Sequence, residues 1–562
     1  MIPVPIDLPV RPSEAAALAE LVIRHLGVRG LTDDARNRLA GEAGTLGLTS
    51  VRPLFGSLEA DPVHQSVYYL AVDGMAQGEP EPLLLRLAPA SSPASALFPG
   101  ALLIGRMRPD GGREMVVNAM PFSPSDGAVI ETYVEQVARV FLPRPQGSLP
   151  ALTAGSRHPK ISIPAAFGAY RSIFRECGLN MAAPVSVSAQ NEVPSGPDGD
   201  RGAPVQNLYD SGLWAAVRAG WREGYAAELS GISVCGASDA ELGSSIDGAK
   251  ELIRRAANFS RFGIDVSKLL VDVDSWPASR VSEQFATTMT PDERRWLESE
   301  FLMPASGESA LSFTSGELQR LAVRFGRALR ILEELADTVR SVKSVCSGIR
   351  SVDLELSFAG ATSLVSAKDL GFCLQWLKSR GRPVQFYAPN LGFRPALRYD
   401  GAVEDLGARV RELTLVARLF NVTLSFDHGC GKQEALLEEI GRATFGRFTY
   451  RLSAELELQL FDVLSELPPQ TEWHELYRRM AERALRMAGA EKPGEGHFLG
   501  DPEDCRSGAN PVLLTWIGRA AGAPDHDGVL FREKLEHLPA DLVAEAQRRN
   551  TKYVSWVASH LR

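Results

Sequence analysis

From residue 352 onward one plan repeats: a short apolar run that fits a strand, then a longer stretch with helical spacing. The runs are VDLELSF at 352–358, VQFYA at 384–388, VTLSF at 422–426 and FTYRL at 448–452. A helical stretch to Ser379, stopped by Gly381 and Pro383, follows the first run, and a helix from Val403 to Phe420 follows the second. A helix from Glu434 follows the third, and AELELQLFDVL follows the fourth. Parallel neighbours need a crossover, and a helix between successive strands supplies it. Earlier apolar runs at 185–187, 232–235 and 262–266 lie beside helical segments and bring the series to about seven or eight units. That many units close a TIM-like (β/α) barrel better than they extend an open sheet, a doubly wound sheet being the alternative. Neither GxGxxG nor GxxxxGK[ST] stands at a strand-to-helix turn, so open nucleotide-binding sheets lose their usual support.

At 562 residues the chain has room for more than a barrel. The first 150 residues hold one clear helix, from Pro12 to His25, and apolar runs at 67–72 and 83–87 separated by Pro and Gly, which fits a small α+β unit that packs against the barrel. The Pro- and Gly-rich segment LPRPQGSL at 142–149 marks the boundary, giving a domain of residues 1–148 and a barrel domain with C-terminal helices over 149–562. Residues 191–204 read as a loop. Thr314 with Glu317, and Thr290 with Pro291 and Glu293, are helix-start signals. The first opens a long helix with Leu318, Leu321, Phe325, Leu329, Leu332, Leu335 and Val339 on one stripe.

Composition removes several function classes. Hydrophobic residues at 44% and charged residues at 23% suit a globular chain with a large core. No apolar stretch is long enough to span a bilayer, so a membrane partner is not expected. The net charge of −9 offers phosphate backbones no broad attraction, so nucleic acid is not expected either. Six scattered cysteines without a CxxC pair read as reduced thiols of a cytoplasmic protein.

In parallel βα folds, chemistry sits just past the C-terminal ends of the strands. After Phe426 come Asp427, His428, Gly429, Cys430, Gly431 and Lys432, a carboxylate, an imidazole, a thiol and an amine on one Gly-rich turn. A carboxylate with an imidazole can hold a divalent metal cation or exchange protons near neutral pH. The plainer alternative is that Asp427 caps the next helix and His428 is a solvated loop residue. Asp265, Asn390, and Ser453 with Glu455 stand at other strand ends, where each could equally serve a cap or a helix dipole. The end of VDLELSF carries only Ala359, Gly360, Ala361, Thr362 and Ser363, with no ionisable side chain.

The order of segments resembles the tagaturonate epimerase family from about Ala151 to Arg562. The matching segments are AGSR at 154–157, LWAAVRAGWREGY at 213–225, DLELSF, LKSRGRPVQF, RYDG at 398–401, ARLFNVTLSF and GRFTYRL. The resemblance implies a metal-dependent sugar-acid epimerase on a TIM-like barrel that interconverts tagaturonate and fructuronate. It aligns the family's Leu-His-Ser-Gly turn with Phe426, Asp427, His428 and Gly429, and sets Lys432 and Arg157 at the basic positions that would hold a carboxylated sugar. It also sets Ala359 to Thr362 where the family has an acidic stretch. Asp265, Val266, Ser267 and Lys268 stand where it has Asp-x-x-Asp-His. Two expectations follow. One is a divergent sugar or sugar-acid epimerase or isomerase, able to form a homo-oligomer, in which Asp427, His428 and Asp265 or Glu355 hold a divalent cation, His428 and Lys432 act on the substrate, and Arg157, Asn390 and Lys432 bind it. The other is a barrel without catalysis that binds carbohydrate or serves assembly.

Overall fold

Side chains alternate along a strand, so each strand's sequence decides what its two faces meet. The computed structural model describes residues 10–25, 31–63, 65–74, 82–92, 98, 100–109, 112–121, 127–147, 149–155, 163, 165–171, 173, 185–188, 205–302, 311–346, 349–393, 399, 401–426, 434–491, 516–518, 520–535 and 537–561. The loop expected at 191–204 therefore lies outside the described residues.

Near the N-terminus, β1 (Val51–Asp61), β2 (Ser66–Asp73), β3 (Pro82–Pro89), β4 (Leu102–Met107) and β5 (Met115–Pro121) form an antiparallel sheet in the order β1-β2-β3-β5-β4. Tyr69 and Ala71 of β2 turn toward the helices Pro12–His25 and Asp33–Ala43, joining Leu18, Leu21, Val22 and Leu39. Tyr68 and Leu70 turn the other way, into the core shared with the rest of the chain. Both faces are covered, which is why β2 and β3 read as unbroken apolar runs rather than as alternating ones. The expectation that this unit packs on the remainder is met at a close contact. A Cβ on Gly56 of β1 would lie 2.9 Å from the Cα of Gly220, itself at φ +61° after the helix Val205–Ala219.

The second sheet is parallel throughout. It comprises β6 (Ala151–Thr153), β7 (Val185–Ser188), β8 (Ala227–Ser233), β9 (Arg261–Asp265), β10 (Asp353–Ser357), β11 (Phe386–Ala388), β12 (Thr423–Phe426) and β13 (Phe448–Arg451), in the order β6-β13-β12-β11-β10-β9-β8-β7. The order never reverses at a central switch point, as a doubly wound sheet would require. It is the order of barrel staves read around the circumference from β7 to β13 and on to β6. Among the described residues no ladder joins β6 to β7. One strand departs from its expected position, and one stands where none was expected. β8 begins at Ala227 rather than at 232 and carries a bulge between Leu229 and Ile232, with Gly231 at φ +69°. β6 is too short to show a pattern.

Helices fill the outer layer. Capping boxes at Thr314 and Thr290 open Ser315–Val345 and Pro291–Phe301 as the sequence indicates, and the stripe from Leu318 to Val339 is buried. Residues of the boundary segment are tied beneath the sheet, where Gln146 N and Gly147 N each donate to Asp353 Oδ2 at 3.0 Å. Helices Ser453–Ser465, Glu472–Glu491, Phe531–Leu535 and Ala540–His560 enclose a separate core that includes Phe461, Leu464, Tyr477, Met480 and Ala546. None of the described helices is long and apolar enough to cross a membrane.

Two buried carboxylates respond to pH with opposite sign. Burial alone would raise the carboxyl of Asp525, but hydrogen bonds from Arg479, Lys534 and His526 outweigh it and hold it well below the usual range. Asp210 is pushed up to about 6 by burial and by the charge of Glu131, although Gln206 Nε2 donates to it at 3.0 Å and to Glu131 Oε1 at 2.7 Å. A depressed carboxyl stabilises the fold above its unfolded pKa of about 4 and loses that contribution as pH falls from there. Asp525→Asn should therefore cost about 2–3 kcal/mol at pH 7 in urea denaturation, a difference from wild type that narrows toward pH 3. For Asp210 the raised pKa means that ionisation opposes folding increasingly between about pH 4 and pH 6. Asp210→Asn should raise Tm by roughly 2–4 °C at pH 7.5 and leave it unchanged near pH 4.

Candidate active site at the rim of the parallel sheet

Along the parallel strands, one set of alternating residues faces the helices. Leu229, Phe262, Ile264, Leu354, Leu356, Leu424, Phe426, Phe448 and Tyr450 all belong to the main core. The other set faces inward, and on four strands it is charged. Glu355 of β10 accepts from Arg261 Nη2 of β9 at 2.5 Å through Oε2 and from Arg451 Nη2 of β13 at 2.7 Å through Oε1. Arg261 Nε also lies 3.2 Å from Glu228 Oε1 of β8, to which Arg451 donates as well. Ser425 Oγ of β12 donates to Glu355 Oε2 at 2.5 Å, and the Arg261 guanidinium lies 3.5 Å from the centre of the Phe386 ring of β11. All four charged side chains are buried. Two positive and two negative groups balance, and the bonds offset part of a desolvation cost of several kcal/mol per ion.

This cage reveals the shape of the sheet. β8 and β13 are five steps apart in strand order, which in a flat sheet at about 4.8 Å per step is roughly 24 Å. An arginine and a glutamate cannot bridge that distance, yet Arg451 and Glu228 are hydrogen-bonded. The sheet is curled around the cage.

Above the cage, at the C-terminal ends of the strands, lies the rim. Asp265 closes β9, and its Oδ1 accepts from Ser267 N at 2.8 Å. Ser267 Oγ is buried and has no hydrogen-bond partner among the described residues. The loop after β10 packs against this pair: a Cβ at Gly360 would come within 2.9 Å of Ser267 Oγ and 3.5 Å of Asp265 Oδ2. An acidic side chain at position 360 would therefore collide with Ser267 and face Asp265. Asn390, just beyond β11, donates through Nδ2 to Ala361 O at 2.7 Å and Ser363 O at 3.1 Å, while its Oδ1 accepts from Gly392 N at 2.8 Å. Arg324, on the long helix, bonds Ser363 Oγ and accepts through its backbone oxygen from Val271 N at 3.2 Å. These bonds fix the loops after β9, β10 and β11 to one another.

Of the residues singled out from the sequence, Asp265 and Asn390 share this rim, one on each side of β10. Asp427, His428 and Lys432, which directly follow β12, and Arg157, which follows β6, lie outside the described residues. Ser453 opens the helix after β13, and Glu455 in its first turn is buried. Glu355 is not at the rim; both of its oxygens are held by the cage.

No family model matches the chain, and no curated protein matches it in sequence. Solved structures match it in shape. The native structure of fructuronate-tagaturonate epimerase UxaE from Cohnella laeviribosi aligns with a TM-score of 0.66 at 16% identity, covering 93% of this chain and 99% of that one. Forms of the same epimerase with one and two glycerols give 0.64 and 0.63 at 17% identity, covering 93% of this chain and 96% of theirs. The chain has the epimerase's fold.

The cage went unnoticed in the sequence, although a signal was there. Glu228, Arg261, Glu355 and Arg451 each occupy a position whose neighbours along the strand face the helices, so period-two alternation puts all four on the inner face. Replacing Glu355 with Gln should leave Arg261 and Arg451 short of a charge partner and cost about 3–5 kcal/mol in guanidinium denaturation. Combining it with Arg451→Gln should cost clearly less than the two single changes summed, because the partners are shared. Strict additivity would show that the groups do not act as one unit.

Proposed function

We propose that the parallel sheet closes into a complete barrel and that its rim is the active site of a divergent epimerase or isomerase acting on a sugar or sugar acid. The observation that carries the reading is the fold match over 93% of the chain to a sugar-acid epimerase, joined to a strand-end loop after β12 that is rich in reactive groups. Lys432 and Arg157 complement a substrate carboxylate, as an ammonium or guanidinium at such an opening does. Asn390, which ties the β10 and β11 loops together, holds the wall against which a polyol chain would lie.

A divalent cation fits part of this rim. Asp265, fixed by Ser267 N, would be one donor, and Asp427 and His428 would add the carboxylate and imidazole of a set suited to a divalent transition ion. Such an ion, when bound, would polarise a substrate carbonyl. Epimerisation beside a carbonyl needs a proton removed from one face of the carbon and returned to the other, and an imidazole, as on His428, is a side-chain type suited to carry it. Gly360, packed against Ser267 and Asp265, leaves the end of β10 without the acid that the resemblance leads one to expect. That packing also favours a second reading, in which the rim binds a sugar acid without turning it over.

Incubation with tagaturonate and with neutral ketohexoses, under several divalent metals and followed by chromatography, separates the two readings. We expect little turnover of tagaturonate and metal-dependent turnover of a related sugar. Binding of sugar acids should weaken by at least about tenfold in Lys432→Ala with Tm unchanged, the loss expected when a charged hydrogen-bond partner goes. Fast turnover of tagaturonate would place the base elsewhere in the chain, and binding without any turnover would support the second reading.

A further inference from the structure

On the outer helical layer, two carboxylates and an imidazole converge. Glu434 and Glu438 stand one turn apart on the helix Glu434–Thr444, and His560 ends the helix Ala540–His560. One oxygen of each glutamate and a ring nitrogen of His560 all lie within 4.8 Å of one another. Glu434 Oε1 is 3.1 Å from His560 Nε2. Ligand atoms at about 2.0–2.2 Å from a tetrahedral zinc are roughly 3.4 Å apart, so small side-chain rotations would complete a three-ligand set.

Two features outside the three side chains prepare this geometry. His560 Nδ1 is 2.8 Å from Trp556 O, and that bond orients the ring so that Nε2 faces the glutamates, as backbone carbonyls do for metal-binding histidines. The two helices also meet backbone to backbone, since a Cβ on Gly441 would lie 2.3 Å from Leu561 O. That packing holds the backbone that carries His560 against the helix of the two glutamates. Like charges at i and i+4 repel, and a cation between Glu434 and Glu438 would reverse that. Glu434 remains 63% exposed, which leaves an entry path from solvent.

We propose that Glu434, Glu438 and His560 bind a divalent transition ion of the zinc class, with water in the fourth position. Glu434 is the first described residue after β12, so the ion would clamp the start of its helix to the C-terminal helix. This site uses none of the side chains proposed to act at the rim.

The test is titration of chelator-treated full-length protein with zinc alone, read by competition with a chromophoric chelator and by thermal denaturation. Wild type should bind zinc with a rise in Tm, and Asp427→Ala should keep that rise. His560→Ala and Glu438→Gln should each weaken the binding by at least about tenfold and lose the rise in Tm, the scale seen even when outer partners of metal ligands are removed. Cobalt should give a visible absorption band in wild type that is missing from His560→Ala. Equal zinc affinity in wild type and both variants would overturn the proposal, as would loss of the effect in Asp427→Ala or no zinc-dependent rise in wild type. None of these results depends on sugar turnover.

Discussion

The glutamate–arginine cage inside the parallel sheet is the interaction on which the rest of the architecture turns. Its four charged members come from β8, β9, β10 and β13, and each arginine lies between both glutamates. Removing four charges from water is costly, so the cage is weak evidence for stability, which comes instead from the apolar faces pressed against the helices. What the cage adds is discrimination. A register slip of one residue on any of these strands would turn a charge into the helix-facing core and a leucine or phenylalanine into the cage. Curl and register are thereby set together, and the rim above inherits its geometry from them.

Where the sequence carried strong periodicity, the elements it indicated are those that form. The helix Pro12–His25, the capping boxes at Thr290 and Thr314, and β10 to β13 lie where their patterns put them, within a residue or two. The failures share a physical cause. β8 opens with Ala227 and Glu228, and a charged residue near the start of a strand looks like the end of a loop unless it is known that the inner face is polar. Gly231 and its bulge then break the alternation further. β6 has only the three residues ALT, with no room for a pattern, and its identity is decided by its pairing with β13.

The candidate site was legible in kind more than in detail. Strand ends could be read off the alternation, and Asp265 and Asn390 lie at the rim that those ends define. The bond pattern of Asn390, which joins two loops through its amide, depends on the path of residues 361 to 363 and has no local signature. Glu355 was ambiguous for the opposite reason. A carboxylate in VDLELSF can serve an opening or an interior, and only the arrival of Arg261 and Arg451 from distant segments decides for the interior.

The pairing of β6 with β13 bears on how the molecule is made. Ala151 meets Thr449, about 300 residues later, and Thr153 meets Arg451. A chain emerging from the ribosome would present β6 long before its partner exists, with its backbone donors and acceptors unsatisfied on that side. Cage closure waits on the same late strand, since Arg451 is its last member. The N-terminal sheet, by contrast, pairs between near neighbours and can form early. Assembly thus divides into a fast local phase and a slow topological one, and during the interval between them the partly curled sheet is the stretch of chain most exposed to misassembly and most in need of chaperone protection.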